Sequence, residues 1–490
     1  MTSASASPVS ASRPNLQTSY LGPSGQLSRL VTLRASASTR GARVVAVTFL
    51  LDGKPLGSDT TRPYSLDIDA GALRAGAHQV SVVAVDSLGR RTRSRSKTVT
   101  VVARRAASLV VSPRSGLRRV LSRLSRGNIA VRLLPGRYQL SDVWLGSNTR
   151  LVGSGASTVI SAPSRSYDGV LIVDGRHVRI SDLVLDGAGP GAGDGQGIAI
   201  RPRAADVRIS RTVIENVRQT GVDAWSDYND ISVQDSVITG NKSAGAGILF
   251  EQGASSNSSV IRTRVSGFRS YGIEFAHLLH DSKTAARHAL ALDNVVTDVT
   301  DPTVNDGTSE GGIWSGGVEA ALIGNVIRRT GWDGIETVGS SLRVSIVANT
   351  ISATGTGIYL EHATNHSLVS GNDISRVTTG INVEWRYDGV GSSWNRFIRN
   401  TVSSAERGLF VEVGNDGNRV ERNVFVNVST PIVFQGSSNN TAGGNRACGN
   451  HDAVVTEGEA RADGGALVSA KNNHLSNNLS RTCSTLVAGR

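Results

Sequence analysis

Eight glycine–aliphatic pairs mark out the middle of this chain: Gly221-Val222, Gly247-Ile248, Gly272-Ile273, Gly312-Ile313, Gly334-Ile335, Gly357-Ile358, Gly380-Ile381 and Gly408-Leu409. Successive steps are 26, 25, 40, 22, 23, 23 and 28 residues, so a unit of about 23 residues recurs with insertions. Asn349, Asn372, Asn400 and Asn423 keep the same period, eight residues ahead of Gly357, Gly380, Gly408 and Pro431. Repeats this short cannot each bury an apolar face alone; they stack, and each turn covers the next. Sequence register then becomes spatial columns.

Each unit reads as two or three strands of three to five residues, such as Val344 to Val347, Asn349 to Ile351 and Gly357 to Glu361. The spacing leaves no room for helical crossovers, which excludes leucine-rich and βαβ arrangements. A stacked asparagine pairs its amide with the next turn's and tolerates a bent backbone. The pattern predicts an all-β chain whose main body is a right-handed parallel β-helix, with a regularly turned β-sandwich as the alternative. Ahead of it, Leu117, Val120, Leu121 and Leu124 follow helical spacing and Gly127 supplies a stop. Then comes a stretch with Val131, Leu133, Pro135, Gly136 and Tyr138. Over about residues 113–440 the chain resembles the pectate-lyase-like family of carbohydrate-active β-helix proteins, in which such a helix caps the first turn. The resemblance implies a fold and a polysaccharide substrate class, not a reaction.

Residues 27–103 carry another pattern: strands at Val44 to Leu51, Tyr64 to Ile68, Gln79 to Val85 and up to Val102, with turns at Asp52-Gly53 and Leu88-Gly89. That is a small sandwich. Val47 to Gly53, followed by Arg62-Pro63-Tyr64, resembles bacterial immunoglobulin-like repeats. Residues 1–26, rich in Ser, Ala and Pro, are expected to be disordered, 104–112 to be a linker, and 441–490 to be an irregular tail. Cys448 and Cys483 are the only cysteines and fall in that tail; a disulfide between them is the favoured reading, two free thiols the other. No run of 18 apolar residues is present, and the first residues lack a leader's apolar stretch. An exported bacterial protein without its leader fits; one methionine and abundant arginine point to a GC-rich source.

The net charge is +12, and residues 90–126 hold twelve cations and no acid. The remaining 40 basic residues balance the 40 acidic ones, so the excess lies at the domain junction and the cap. That stretch is read as a contact for an anionic cell-surface polymer, or as a solvated basic face. No nucleic-acid motif accompanies it, so nucleic acid is not an expected partner.

Within the glycine-led strands the first and third residues after glycine are almost all apolar and face inward, so the second and fourth face out. The second reads Asp223, Leu249, Glu274, Trp314, Glu336, Tyr359, Asn382, Phe410; the fourth reads Trp225, Glu251, Ala276, Gly316, Val338, Glu361, Glu384, Glu412. Seven carboxylates and several aromatics therefore share one face, where Ser, Thr, Lys and Asn are the usual solvated choice. Stacked carboxylates raise one another's pKa and can yield a proton donor near neutrality. Attachment points of Glu336 and Glu361 are one turn and two residues apart, roughly 8 Å, which suits an acid and a base across a glycosidic bond. Extra chain at about Leu278 to Glu310 and at Trp385 to Trp394 is expected to wall the groove.

These columns predict a glycoside hydrolase with Glu336, Glu361, Asp333 and Glu384 as catalytic candidates. Trp314, Trp332, Tyr359, His362, Trp385, Arg386, Glu274, His277 and Glu251 are the substrate-binding candidates. No cofactor is required; Ca²⁺ on Glu361 and Glu384 is the one metal option, and no HxH or HExxH spacing supports His277, His280 and His362 as ligands. A lyase or C5-epimerase on a uronate polymer is the runner-up, although Asp-Pro-His-Asp and Asn-Thr-Asp motifs are absent. A non-catalytic adhesin is third.

Overall fold

The computed structural model describes residues 16–28, 30–102, 108–114, 117–163, 167–189, 195–225, 230–242, 244–250, 257–275, 287–300, 311–361, 363–384, 391–449, 454–461 and 467–480. Two units are present, Met1–Ala106 and Ala107–Arg490. The first packs a three-stranded sheet (Gln17–Tyr20, Leu30–Ser38, Ser65–Asp69) and a larger sheet built on Val44–Leu51 and Gly76–Asp86 around Leu33, Phe49, Tyr64 and Val82. Gln17–Tyr20 and Gly25–Leu27 are paired strands, so order begins well before residue 27.

The second unit is a parallel β-solenoid of about 12 turns. The turns build two parallel sheets, a 15-stranded outer sheet and a 24-stranded sheet that holds both the short strands and the glycine-led strands; the glycine-led part is called the groove sheet below. Residues one and three after glycine are interior: Ile313, Ile335, Ile358, Leu360, Ile381, Val383, Leu409 and Val411 are essentially inaccessible to solvent. The glycines do not serve a left-handed turn. A Cβ on Gly357 would lie 2.4 Å from Ile374 Cγ2 and 2.5 Å from the Gly380 carbonyl. Glycine is there because adjacent turns approach too closely for any side chain.

The asparagine column runs further than the sequence spacing indicated. Asn294, Asn325, Asn349, Asn372, Asn400, Asn423, Asn445 and Asn478 form one continuous amide ladder. A second column links Asn395, Asn418, Asn440 and Asn473 at the opposite corner. The expected irregular tail is mostly further turns, with strands to Leu479–Ser480, and the solenoid opens at Leu109–Val111. Cys448 is disulfide-bonded; Cys483, the chain's other cysteine, lies outside the described residues. The cap is shorter than its apolar spacing promised: a 3₁₀ turn at Leu117–Val120 and a helix at Leu121–Arg126, closed by Gly127 at φ 80°. No helix among the described residues is long and apolar enough to cross a membrane.

Candidate active site

The groove sheet carries the predicted columns in register. Glu274, Trp314, Glu336, Tyr359, Asn382 and Phe410 are successive cross-turn partners. Two positions on, Glu361, Glu384 and Glu412 stack: each donates its N–H to the turn before, Glu361 to Thr337 at 2.8 Å, Glu384 to Leu360 and Glu412 to Val383 at 3.0 Å. One position ahead of the glycine is a third column, Tyr271, Gly311, Asp333, Thr356, Thr379 and Arg407. Offsets counted after glycine do not cover this column, which holds Asp333.

Three acids converge where these columns meet. Asp333 is 1% exposed, Glu336 and Glu361 6% each. Burial pushes the Glu336 carboxyl from its ordinary 4.5 up to about 8, helped by the charge of Glu361; the Trp314 indole, donating to it, pulls the other way. A carboxyl–carboxyl hydrogen bond joins Glu336 to Glu361, and Glu274 adds to the upward push. Burial also raises Asp333 well above the usual carboxylate range, with Glu336, Glu361 and Glu384 acting in the same direction and Thr356 moderating it. Neither Asp333 oxygen has a partner at good hydrogen-bond geometry.

The contact between Glu336 and Glu361 corrects one expectation. Their attachment points are a turn apart, but the side chains close that gap to a hydrogen bond, leaving no room for the water that an inverting pair must admit. Glu384 stands one turn past Glu361 and is half-buried, the member of the set more open to solvent. The Glu361 main chain is held from both sides, since its carbonyl accepts from the Thr364 hydroxyl at 3.0 Å.

Aromatic side chains line the cluster. Trp314 packs against Tyr271 at 6.1 Å between ring centroids, and the Tyr271 ring occupies the space that a side chain on Gly311 would take. Tyr359 separates Glu336 from Asn382 in its column. Trp332 is 48% exposed beside Asp333, its carbonyl fixed by the Thr356 N–H at 2.8 Å. Arg407 lies over the Phe410 ring at 4.9 Å, three turns from Asp333. Tyr271 and Arg407 were missed; the offset before glycine was the signal that held both.

Glu251, His277, His280, His362, Trp385 and Arg386 lie outside the described residues. So do 276–286 and 301–310 of the long insertion, but Leu290–Leu292 and Val295–Val299 inside it are ordinary strands of a regular turn. Trp394 is not in the groove strand; it sits at a corner leading to the outer sheet. Among the described residues no three His, Cys, Asp or Glu side chains are grouped to hold a metal ion. The Arg-rich stretch 90–126 spans both units: Arg90 pairs with Asp86 at 2.6 Å, Arg93 donates to Ser81, and Arg104 and Arg105 lie outside the described residues.

Residues 20–82 match the family model of the bacterial Ig domain, and residues 288–447 that of the right-handed beta helix region. No curated protein matches the chain. Among solved structures, the Yersinia enterocolitica family 28 exopolygalacturonase is similar at 12% identity over 94% of this chain and 98% of its own, TM-score 0.45. The catalytic unit of the Streptomyces thermodiastaticus GH87 α-1,3-glucanase gives 14% identity, 95% and 90% coverage and a TM-score of 0.47. Fibronectin(III)-like modules of Clostridium thermocellum CbhA give 23% identity over 19% of this chain and 48% of theirs, TM-score 0.16. These likenesses carry no weight for the reaction.

Proposed function

We propose that the groove is the active centre of an exported enzyme that hydrolyses glycosidic bonds in a polysaccharide. One observation carries the reading: three carboxyls are buried near one another beside aromatic rings, two of them hydrogen-bonded together and one holding its proton to about pH 8. Burying acids together destabilises a fold, and nothing in the solenoid requires it.

Glu336 is the proton donor. As the bond between the anomeric carbon and the leaving oxygen breaks, that oxygen takes the Glu336 proton. Water adds to the anomeric carbon and gives its proton to Glu384, the acid nearest solvent. Glu361 faces the positive charge that develops on the sugar, and its hydrogen bond to Glu336 offers a path for the proton to return after each turnover. Burial, with the charges of Glu361 and Glu274, keeps Glu336 protonated. Trp314, Tyr359 and Trp332 supply flat faces for sugar rings. An acid-lined floor favours a neutral glycan.

Elimination or epimerisation at a uronate is the second reading, and Arg407 favours it by placing a cation in the groove's own columns. A reducing-end assay over neutral and acidic glycans tests the first reading. New reducing ends without the ultraviolet absorbance of an unsaturated uronate, lost in both Glu336→Gln and Glu384→Gln, are expected. Full turnover in either variant removes that residue from the mechanism, and absorbing products transfer the site to the second reading.

A further inference from the structure

The outer sheet repeats one charge problem at both ends and solves it at only one. In its outward column, Arg150, Arg179 and Arg208 are stacked cross-turn partners. Two of them have acids at hand: Arg179 bonds Asp206 at 2.8 Å and Arg208 bonds Asp230 at 3.2 Å. The neighbouring corner column alternates sign, Asp182, Arg211, Asp235, Arg262, with ion pairs of 2.7 Å between Arg211 and Asp182 and between Arg262 and Asp235. Farther along, the same two columns bring cations back without acids. Arg396 stacks on Arg419 in the first, and Arg399 precedes Arg422 in the second. Arg419 is paired within its own strand to Glu421. Arg396, Arg399 and Arg422 are exposed, and none has an acid at ion-pair distance among the described residues.

A tryptophan borders this block. Trp394 occupies the corner just before Arg396 at φ 60°, a left-handed conformation unusual for a bulky side chain. Its ring lies on Gly417 of the next turn, where a Cβ would come within 2.6 Å of Cε3. The indole is 59% exposed, so the face away from Gly417 is open. A seated aromatic plane at one end of a strand that carries unneutralised guanidinium groups along it and at its other end is the chemistry that recognises an acidic glycan: one sugar ring stacks, and the forked donors take the anions along the chain. Single-stranded nucleic acid uses successive aromatic platforms, and Trp394 is the one exposed aromatic side chain among the described residues of this face.

We propose that Trp394, Arg396, Arg399 and Arg422 form a binding site for an anionic glycan on the outer sheet, separate from the acidic groove. It holds the protein to an acidic polymer whatever the groove acts on, so it does not depend on the hydrolase reading. The test is affinity electrophoresis of the full chain through gels containing polygalacturonate, dextran or oligo-dT. Polygalacturonate should retard the protein in a salt-sensitive manner, and dextran should not. Arg396→Ala with Arg422→Ala should weaken retardation at least about tenfold, as should Trp394→Ala. Arg399→Ala is the control for misfolding of the double variant, because Ala348 already occupies that corner column at φ 56°; it should weaken retardation in the same direction. Unchanged retardation in these variants, equal retardation by dextran, or stronger retention by oligo-dT would overturn the site.

Discussion

Glu336 holds a proton in the fold that it would release in the unfolded chain. Its folded value, about 8, is above its ordinary 4.5, so the folded state binds the extra proton between those limits. Stability is therefore fully present below about pH 4.5 and declines as pH rises through 8. Glu336→Gln keeps the shape and removes the titration. Denaturant unfolding should find this variant more stable than the parent at pH 8, by on the order of a few kcal/mol, and nearly equal to it at pH 4.5. An opposite slope would show that the carboxyl is charged in the fold. The same group sets a catalytic limit: if Glu336 donates the proton, kcat/KM on a responsive glycan should fall as pH passes about 8. A profile flat through that range rules out Glu336 as the donor. The columns holding Glu336, Glu361 and Glu384 were legible from offsets after glycine. The hydrogen bond between two of them was not, because side-chain reach exceeds the spacing that register defines. Asp333 was visible as an acid, but its burial without a well-formed hydrogen bond belongs to packing.

Two kinds of ladder hold the turns together, and each was half visible in the repeat. The Gly-Ile cadence gave the inward column; the reason for glycine, contact with the next turn's main chain, needed coordinates. Gly357→Ala should cost about 2–4 kcal/mol in denaturant unfolding, since neither Ile374 nor the Gly380 carbonyl can withdraw from a packed turn. Asn372 is more deeply committed. Its amide donates to Ile346 O at 3.0 Å and Asn400 Oδ1 at 2.9 Å, and its oxygen accepts from the Asn349 N–H and amide at 2.9 Å. Asn372→Ala strands buried groups on both sides and should cost about 3 kcal/mol or more, whereas Asn478→Ala, at the ladder's end, should cost less than half as much. Equal losses at the two positions would mean that the ladder does not transmit its bonds from turn to turn. Asn395, Asn418 and Asn440 each stand five residues ahead of Asn400, Asn423 and Asn445, and they escaped the sequence reading because the earlier turns hold Val344 and Ser367 in that column.

At the scale of the chain, the two units bury separate sets of side chains. One core draws on residues from Leu16 to Val101, the other on residues from Val111 to Val454, and no side chain belongs to both. The difference in periodicity, alternating strands in the first and a fixed repeat in the second, is what made the division readable before any coordinates. Its edges were less readable, since Gln17–Tyr20 pairs across to Leu30–Ser38 and the final turns lack the Gly-Ile mark. A solenoid gains its stability from neighbouring turns, so the second unit needs only its own cap to begin. Leu124 and Val120 of that cap are buried against the first turn's core, within residues 107–490. Residues 107–490 made alone should therefore give a β-type circular dichroism spectrum and melt within a few degrees of the same transition in the full chain, as sites with no shared partners add independently. Loss of the cooperative transition, or a fall of more than about 10 °C, would mean that the first unit contributes to the solenoid's core and that the two are not separate folding units.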